Sequence, residues 1–291
     1  MEAARALPGA GLIALALLPP LLAATGQDYY IGFATRVLVF GLAATSLNFI
    51  LGYGGMVSFG HAAFFGAGAY AVAALAARGI ASPWIAWPAA MLASAMLAAA
   101  IGAVSLRTRG LYFIMITLAF AQMVYYLAVS MPALGGDDGL ALASRRFPDT
   151  TLYYVALALC AIALVALRAI AAAPFGRALQ GIRENDVRME ALGHPVFRIR
   201  LAAFVAAAAV AGLAGALFVN LNGRVGPGVL DWPQSGTLLV MVILGGVGIP
   251  WGGFAGAALL LAMEEFLPAY WPHWQLLLGA VLLVVVLRRR A

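Results

Sequence analysis

Lysine is absent from this 291-residue chain, and all 17 basic positions are arginine. A Walker A loop needs its lysine to reach nucleotide phosphates, so no standard ATP site is expected here. Cysteine is nearly absent too. Cys160 stands alone in an apolar run, which excludes an internal disulfide. The three histidines (His61, His194, His273) are far apart, with no His-Glu-x-x-His and no paired cysteines, so no metal centre is expected. A Gly-x-Ser-x-Gly nucleophile elbow is also missing. Neither a cofactor nor catalysis is therefore expected. Charge is the last scarcity: 10% of residues are charged, against roughly 25% in a soluble domain.

What fills the chain instead is apolar. Hydrophobic residues make up 65% of it and the mean hydropathy is +0.99. Runs of about 20 apolar residues identify membrane helices rather than barrel strands. The fold expected is all-α, a polytopic membrane bundle of about eight full spans plus broken or half helices. The net charge of +6 does not point to nucleic acid, because most arginines sit at span ends. With both termini inside, twelve arginines are cytoplasmic (Arg5, Arg107, Arg109, six between Arg168 and Arg200, and Arg288 to Arg290). Four are outside (Arg78, Arg145, Arg146, Arg224), and Arg36 lies in a span. That asymmetry follows the positive-inside rule.

The first run, Gly9 to Thr25, reads as an uncleaved helix rather than a signal peptide. Ile31 to Leu51 is the second span. Gly52, Gly54 and Gly55 then suggest a helix break at membrane depth, tolerated only where protein or water surrounds it. Arg78 to Trp87 reads as an outside loop. Trp84 to Leu106, Gly110 to Met131 and Thr151 to Leu167 are further spans. The polar outside loop from Pro132 to Thr150 contains the turn run Gly135 to Gly139. Leu201 to Asn222 crosses outward, and Gly223 to Gln234, with Asp231-Trp232, is an outside segment. Ser235 to Met263 is interrupted by Gly245, Gly246, Gly248 and Pro250, two half-helices meeting at a break. The stretch from Ile50 to Gly55 echoes that from Ile243 to Gly248, and paired breaks point to a transport pathway at a repeat interface.

Only one long segment is polar: Arg168 to Arg200. Its centre, Gly181 to Leu192, is expected as one short amphipathic helix, with Ile182, Val187, Met189 and Leu192 apolar. His194-Pro195 ends it. Such a loop either fixes topology alone or docks a soluble partner.

Several stretches resemble the permease subunits of branched-chain amino-acid ABC importers, the LivM/LivH family. They are LNFILGYGGMVSFGHAAFFGAGAY (Leu47 to Tyr70), RGLYFIMITLAFAQM (Arg109 to Met123) and GGDDGL (Gly135 to Leu140). GRALQGIRENDVRMEALG (Gly176 to Gly193), LAAFVAAAAVAGLAGAL (Leu201 to Leu217) and MVILGGVGIPWGGFAGAALL (Met241 to Leu260) follow in the family's order. RGLY and GGDDGL look closer to the LivM branch. The resemblance implies one transmembrane permease domain over 1–291 in a bacterial cytoplasmic (inner) membrane. It also implies a related permease partner, two cytoplasmic ATPase subunits and an extracytoplasmic substrate-binding protein. The segment 168–200 becomes the coupling element, with Arg183, Glu184, Asp186, Arg188, Glu190, Ala191 and Gly193 at the ATPase. Glu190-Ala191-Leu192-Gly193 echoes the family's Glu-Ala-Ala…Gly contact, departing at Leu192 and in the early glycine.

For the pathway the polar residues near the breaks stand out: Asn48, Tyr53, Ser58, His61 and Gln122. Polar groups at membrane depth face protein or water, and interhelical hydrogen bonding is the other role open to each. The competing functional class is a passive channel or an ion-coupled carrier for a small polar solute. The carrier requires a charge near the membrane centre, and no Asp or Glu stands well inside an expected span.

Overall fold

The computed structural model describes residues 15–22, 29–80, 82–142, 147–269 and 273–290. Residues 15–22 are helical (α1); the rest of the first apolar run lies outside the described residues, as do Arg5, Arg145 and Arg146. The long helices are α2 (Tyr29–Gly52), α3 (His61–Ala77), α4 (Pro83–Ser105), α5 (Leu111–Ser130) and α6 (Asp149–Ala172). Two short helices follow, α7 (Pro174–Glu184) and α8 (Asp186–Ala191). The chain continues through α9 (Val196–Asn222), α10 (Trp232–Gly245), α11 (Gly252–Phe266) and α12 (Trp274–Arg290). Among the described residues five helices (α2, α4, α5, α6, α9) are long and apolar enough to cross a membrane. The all-α polytopic architecture is therefore present. Among the described residues the strands form one small antiparallel ladder, β1 (Leu140–Ala141) with β2 (Arg224–Val225), between turns rich in glycine.

Helix α2 is the axis of the bundle. Of its most apolar window 78% is buried, against 22% for α5, which is peripheral. Small residues let the helices around it close. A Cβ on Gly68 of α3 would strike the Gly212 backbone of α9, and one on Gly215 would strike the Phe65 carbonyl. In a bilayer such close backbone approach replaces hydrophobic sorting as the source of helix association. Ser94 of α4 lies against Gly212 of α9, and its hydroxyl donates to the Phe64 carbonyl of α3 at 2.7 Å. Helices α4 and α9 are antiparallel, Gly102 facing Leu201 while Ala90 faces Gly212.

Several sequence boundaries move. Trp84 and Trp87 belong to α4, because Pro83 takes its first turn, where a missing N–H costs nothing. The polar segment is mostly helix: Arg168 ends up in α6, and Arg198 and Arg200 in the first turns of α9. Its expected single helix is two. Asn185 leaves the helical region (φ −158°, ψ 102°) and its Oδ1 accepts from the Arg188 N–H at 2.9 Å, capping α8. Asparagine is among the best N-caps, so the side chain competes with helix continuation and prevails.

Candidate functional site

The two glycine breaks meet in space. Helix α11 runs antiparallel to α2, with Phe254 against Gly41, Gly253 against Thr45 and Gly248 against Gly52. Helices α10 and α11 are themselves joined as a hairpin: a Cβ on Gly245 would strike the Gly252 carbonyl, and one on Gly256 that of Met241. At the hairpin tip the backbone leaves helical geometry, with Gly248 at φ +79°, so its amide has no intrahelical partner. Asn48 supplies one. Its Oδ1 accepts from the Gly248 N–H at 2.8 Å and its Nδ2 donates to the Ile249 carbonyl at 2.7 Å. One primary amide thus stands in for a backbone pair, which is what exposed backbone at this depth requires. Beside it a cavity of about 20 Å³ lies between Thr45, Asn48, Tyr53, Arg168 and Pro250. Arg168 packs its guanidinium over Trp251, 4.3 Å from the ring centre.

The short helices seat beneath the α2 break. Leu179 and Ile182 of α7 are buried, with Leu179 facing Gly54. Arg183 donates to the Gly52 carbonyl, one of the orphan acceptors at the end of α2. Its aliphatic stem lies over Gly55, whose φ of +66° only glycine adopts cheaply. Helix α8 is anchored by charge: Asp186 meets Arg109 of the α4–α5 connection at 2.9 Å and Arg200 of α9 at 3.5 Å. Glu184, Arg188, Glu190, Ala191 and Gly193 are exposed, as are the apolar Val187 (65%) and Leu192 (69%). Gly193, at φ +84°, turns the chain out of α8.

The five polar residues singled out for a pathway do not converge. Asn48 and Tyr53 share the small cavity. His61 is fully buried and its Nε2 lies 2.8 Å from the Ser46 hydroxyl. That hydroxyl gives its one hydrogen to the Ala43 carbonyl, so the imidazole Nε2 is the donor and ties α3 to α2. Ser58 accepts from the Gly60 N–H at 3.2 Å. Gln122 shares no hydrogen bond with the other four and donates to Asp231 at 2.7 Å.

That last contact corrects the placement of Asp231. Gln122 is the twelfth of twenty residues in α5, so about 12 Å of helix remain beyond it. Leu230 packs on Gly66, early in α3, and Ser235 accepts from the Ala62 N–H at 2.9 Å. The segment before α10 therefore dips into the bundle instead of lying outside it. An acidic side chain thus lies level with the middle of α5, and the sequence ground for dismissing an ion-coupled carrier weakens at this residue. Arg109, Arg200, Ser46, Leu179 and Asp231 were missed as site residues. Only Asp231 carried a usable signal, as an N-cap before Trp232-Pro233.

Long apolar helices, a helical hairpin and paired breaks define a multi-pass helical membrane protein. Residues 29–287 match the family described as branched-chain amino acid transport system / permease component, and the chain belongs to that family. It is 28% identical to the high-affinity branched-chain amino acid transport system permease protein LivM of Salmonella typhimurium (strain LT2), across 96% of this chain and 72% of that protein. The LivM of Escherichia coli (strain K12) gives the same figures. A probable LivM of Methanocaldococcus jannaschii is 26% identical over 50% of this chain and 41% of its own length. No solved structure matches.

Proposed function

We propose that this chain is the permease subunit of an ATP-driven importer for branched-chain or related amino acids, urea or short amides. It would be one transmembrane domain of about eight spans in a bacterial cytoplasmic membrane, with both termini and the α7–α8 end cytoplasmic. Its partners would be a related permease, two ATPase subunits and an external binding protein. ATP would be hydrolysed in the ATPase subunits, this chain having no nucleotide site of its own.

The observation that carries the reading is the linkage from α7–α8 to both breaks. Arg183 holds the end of α2, Gly52 touches Gly248, and Asn48 clamps the hairpin tip. Asp186 adds a second tie to α5 and α9 through Arg109 and Arg200. An ATPase gripping Glu184, Arg188, Glu190, Ala191 and Gly193, with Val187 and Leu192 filling its groove, would move the pair as a lever. ATP energy enters only through contacts that differ between two transporter states.

Co-purification with candidate ATPase subunits tests this. The wild type retains an ATPase, and Glu190→Arg with Gly193→Pro, still inserted, loses it. If no ATPase is ever retained and the chain alone moves solute in liposomes, a channel or carrier replaces the importer.

A further inference from the structure

We propose that the Asp231 carboxylate, held by Gln122 on the α5–α10 face, receives the ammonium group of the transported amino acid. This rests on the chain being an amino-acid permease, not on its coupling to an ATPase. Three contacts set the depth of Asp231: Gln122 in mid-α5, Leu230 on Gly66, and Ser235 with Ala62 at the start of α3. Its two bonds from the chain both go to Oδ1, from Gln122 Nε2 and from the Trp232 N–H at 2.7 Å. Among the described residues Oδ2 accepts no hydrogen bond and no arginine pairs with the carboxylate.

The group is also not fully enclosed by this chain. Asp231 is half-buried, Trp232 beside it is 47% exposed, and Met123 of α5 is exposed next to Gln122. A carboxylate turned toward lipid at span depth is costly, and such groups face water or protein instead. The α5–α10 face is therefore the wall of a polar space outside this single chain. In that space an oriented, uncompensated anion selects a cation, and the transported amino acid brings one as its ammonium. Gln122 is a positioning residue: its amide fixes Oδ1 and leaves Oδ2 free to accept.

The test uses the assembled protein in native membrane vesicles, in a Cys160→Ala background, with leucine as the probe. Trp232→Cys reacts with a membrane-impermeant methanethiosulfonate without ATP, and leucine slows the reaction. Leu92→Cys, on the exposed apolar surface of α4, does not react. Asp231→Asn lowers leucine uptake about tenfold or more, the loss of one charged hydrogen-bonding partner, and abolishes leucine protection of Trp232→Cys. Asp231→Glu restores part of both. An unreactive Trp232→Cys makes the face sealed or lipid-covered and overturns the proposal. So does full leucine protection in Asp231→Asn. Loss of subunit association in Asp231→Asn assigns the carboxylate to a structural ion pair with the second permease and overturns it too. Labelling and protection that persist when no ATPase is retained leave this site standing while the importer reading falls.

Discussion

At the scale of single residues, Asn48 replaces the backbone partners that the hairpin tip lacks. Replacing it with leucine strands the Gly248 N–H and the Ile249 carbonyl, each costing about 1–3 kcal/mol when buried unpaired. Asn48→Leu is expected to lower the thermal midpoint in detergent clearly. Asn48→Asp should fall in the same direction, since a carboxylate keeps the Gly248 bond but turns an oxygen on the Ile249 carbonyl. A similar contrast holds for the glycines. Gly68→Val drives a side chain into Gly212 and should cost about 1–3 kcal/mol by overpacking. Gly32→Ala, with open space around its position, should leave the midpoint unchanged within experimental scatter.

At the scale of elements, the joint between α7 and α8 depends on one side chain. Asn185→Ala removes the cap of α8 and should cost about 1 kcal/mol, roughly a fivefold increase in local opening. Hydrogen exchange should detect it at the α8 amides, with α7 protected as before by burial of Leu179 and Ile182. The same joint marks the limit of what the sequence made legible. Long apolar helices and the two glycine breaks could be read, because length, hydropathy and backbone freedom are local properties. Asn185 as a cap is local too, but it competes with an amphipathic pattern that reads as one continuous helix. The Asn48–Gly248 clamp, separated by 200 residues, and the Asp186 pairs with Arg109 and Arg200 depend on packing that no window contains. Asp231 was misplaced for a related reason: Gly226, Pro227 and Gly228 read as a surface loop, yet Leu230 pulls the segment down onto Gly66.

At the scale of the whole molecule, one mechanical line runs from the exposed face of α8 through Arg183 and Gly52 to the hairpin. A Cβ on Gly55 would lie 3.7 Å from the Arg183 Cβ, within disulfide geometry. Gly55→Cys with Arg183→Cys, in a Cys160→Ala background, should cross-link on oxidation. If the proposed importer holds, uptake should then stop while its ATPase stays bound, and a reductant should restore whatever uptake the reduced variant had. Continued uptake in the cross-linked state would show that α7 and α2 need not move apart. The hairpin clamp also has a consequence for how the protein is made. Asn48 leaves the ribosome 200 residues before Gly248, about 10–40 s earlier at ordinary synthesis rates. Throughout that interval the amide lacks its mates, and α2 lacks the glycine-lined surface it will finally meet. The bundle is thus locked by a segment translated long after α2, and a chain stopped before Gly246 would carry an open seam into the bilayer.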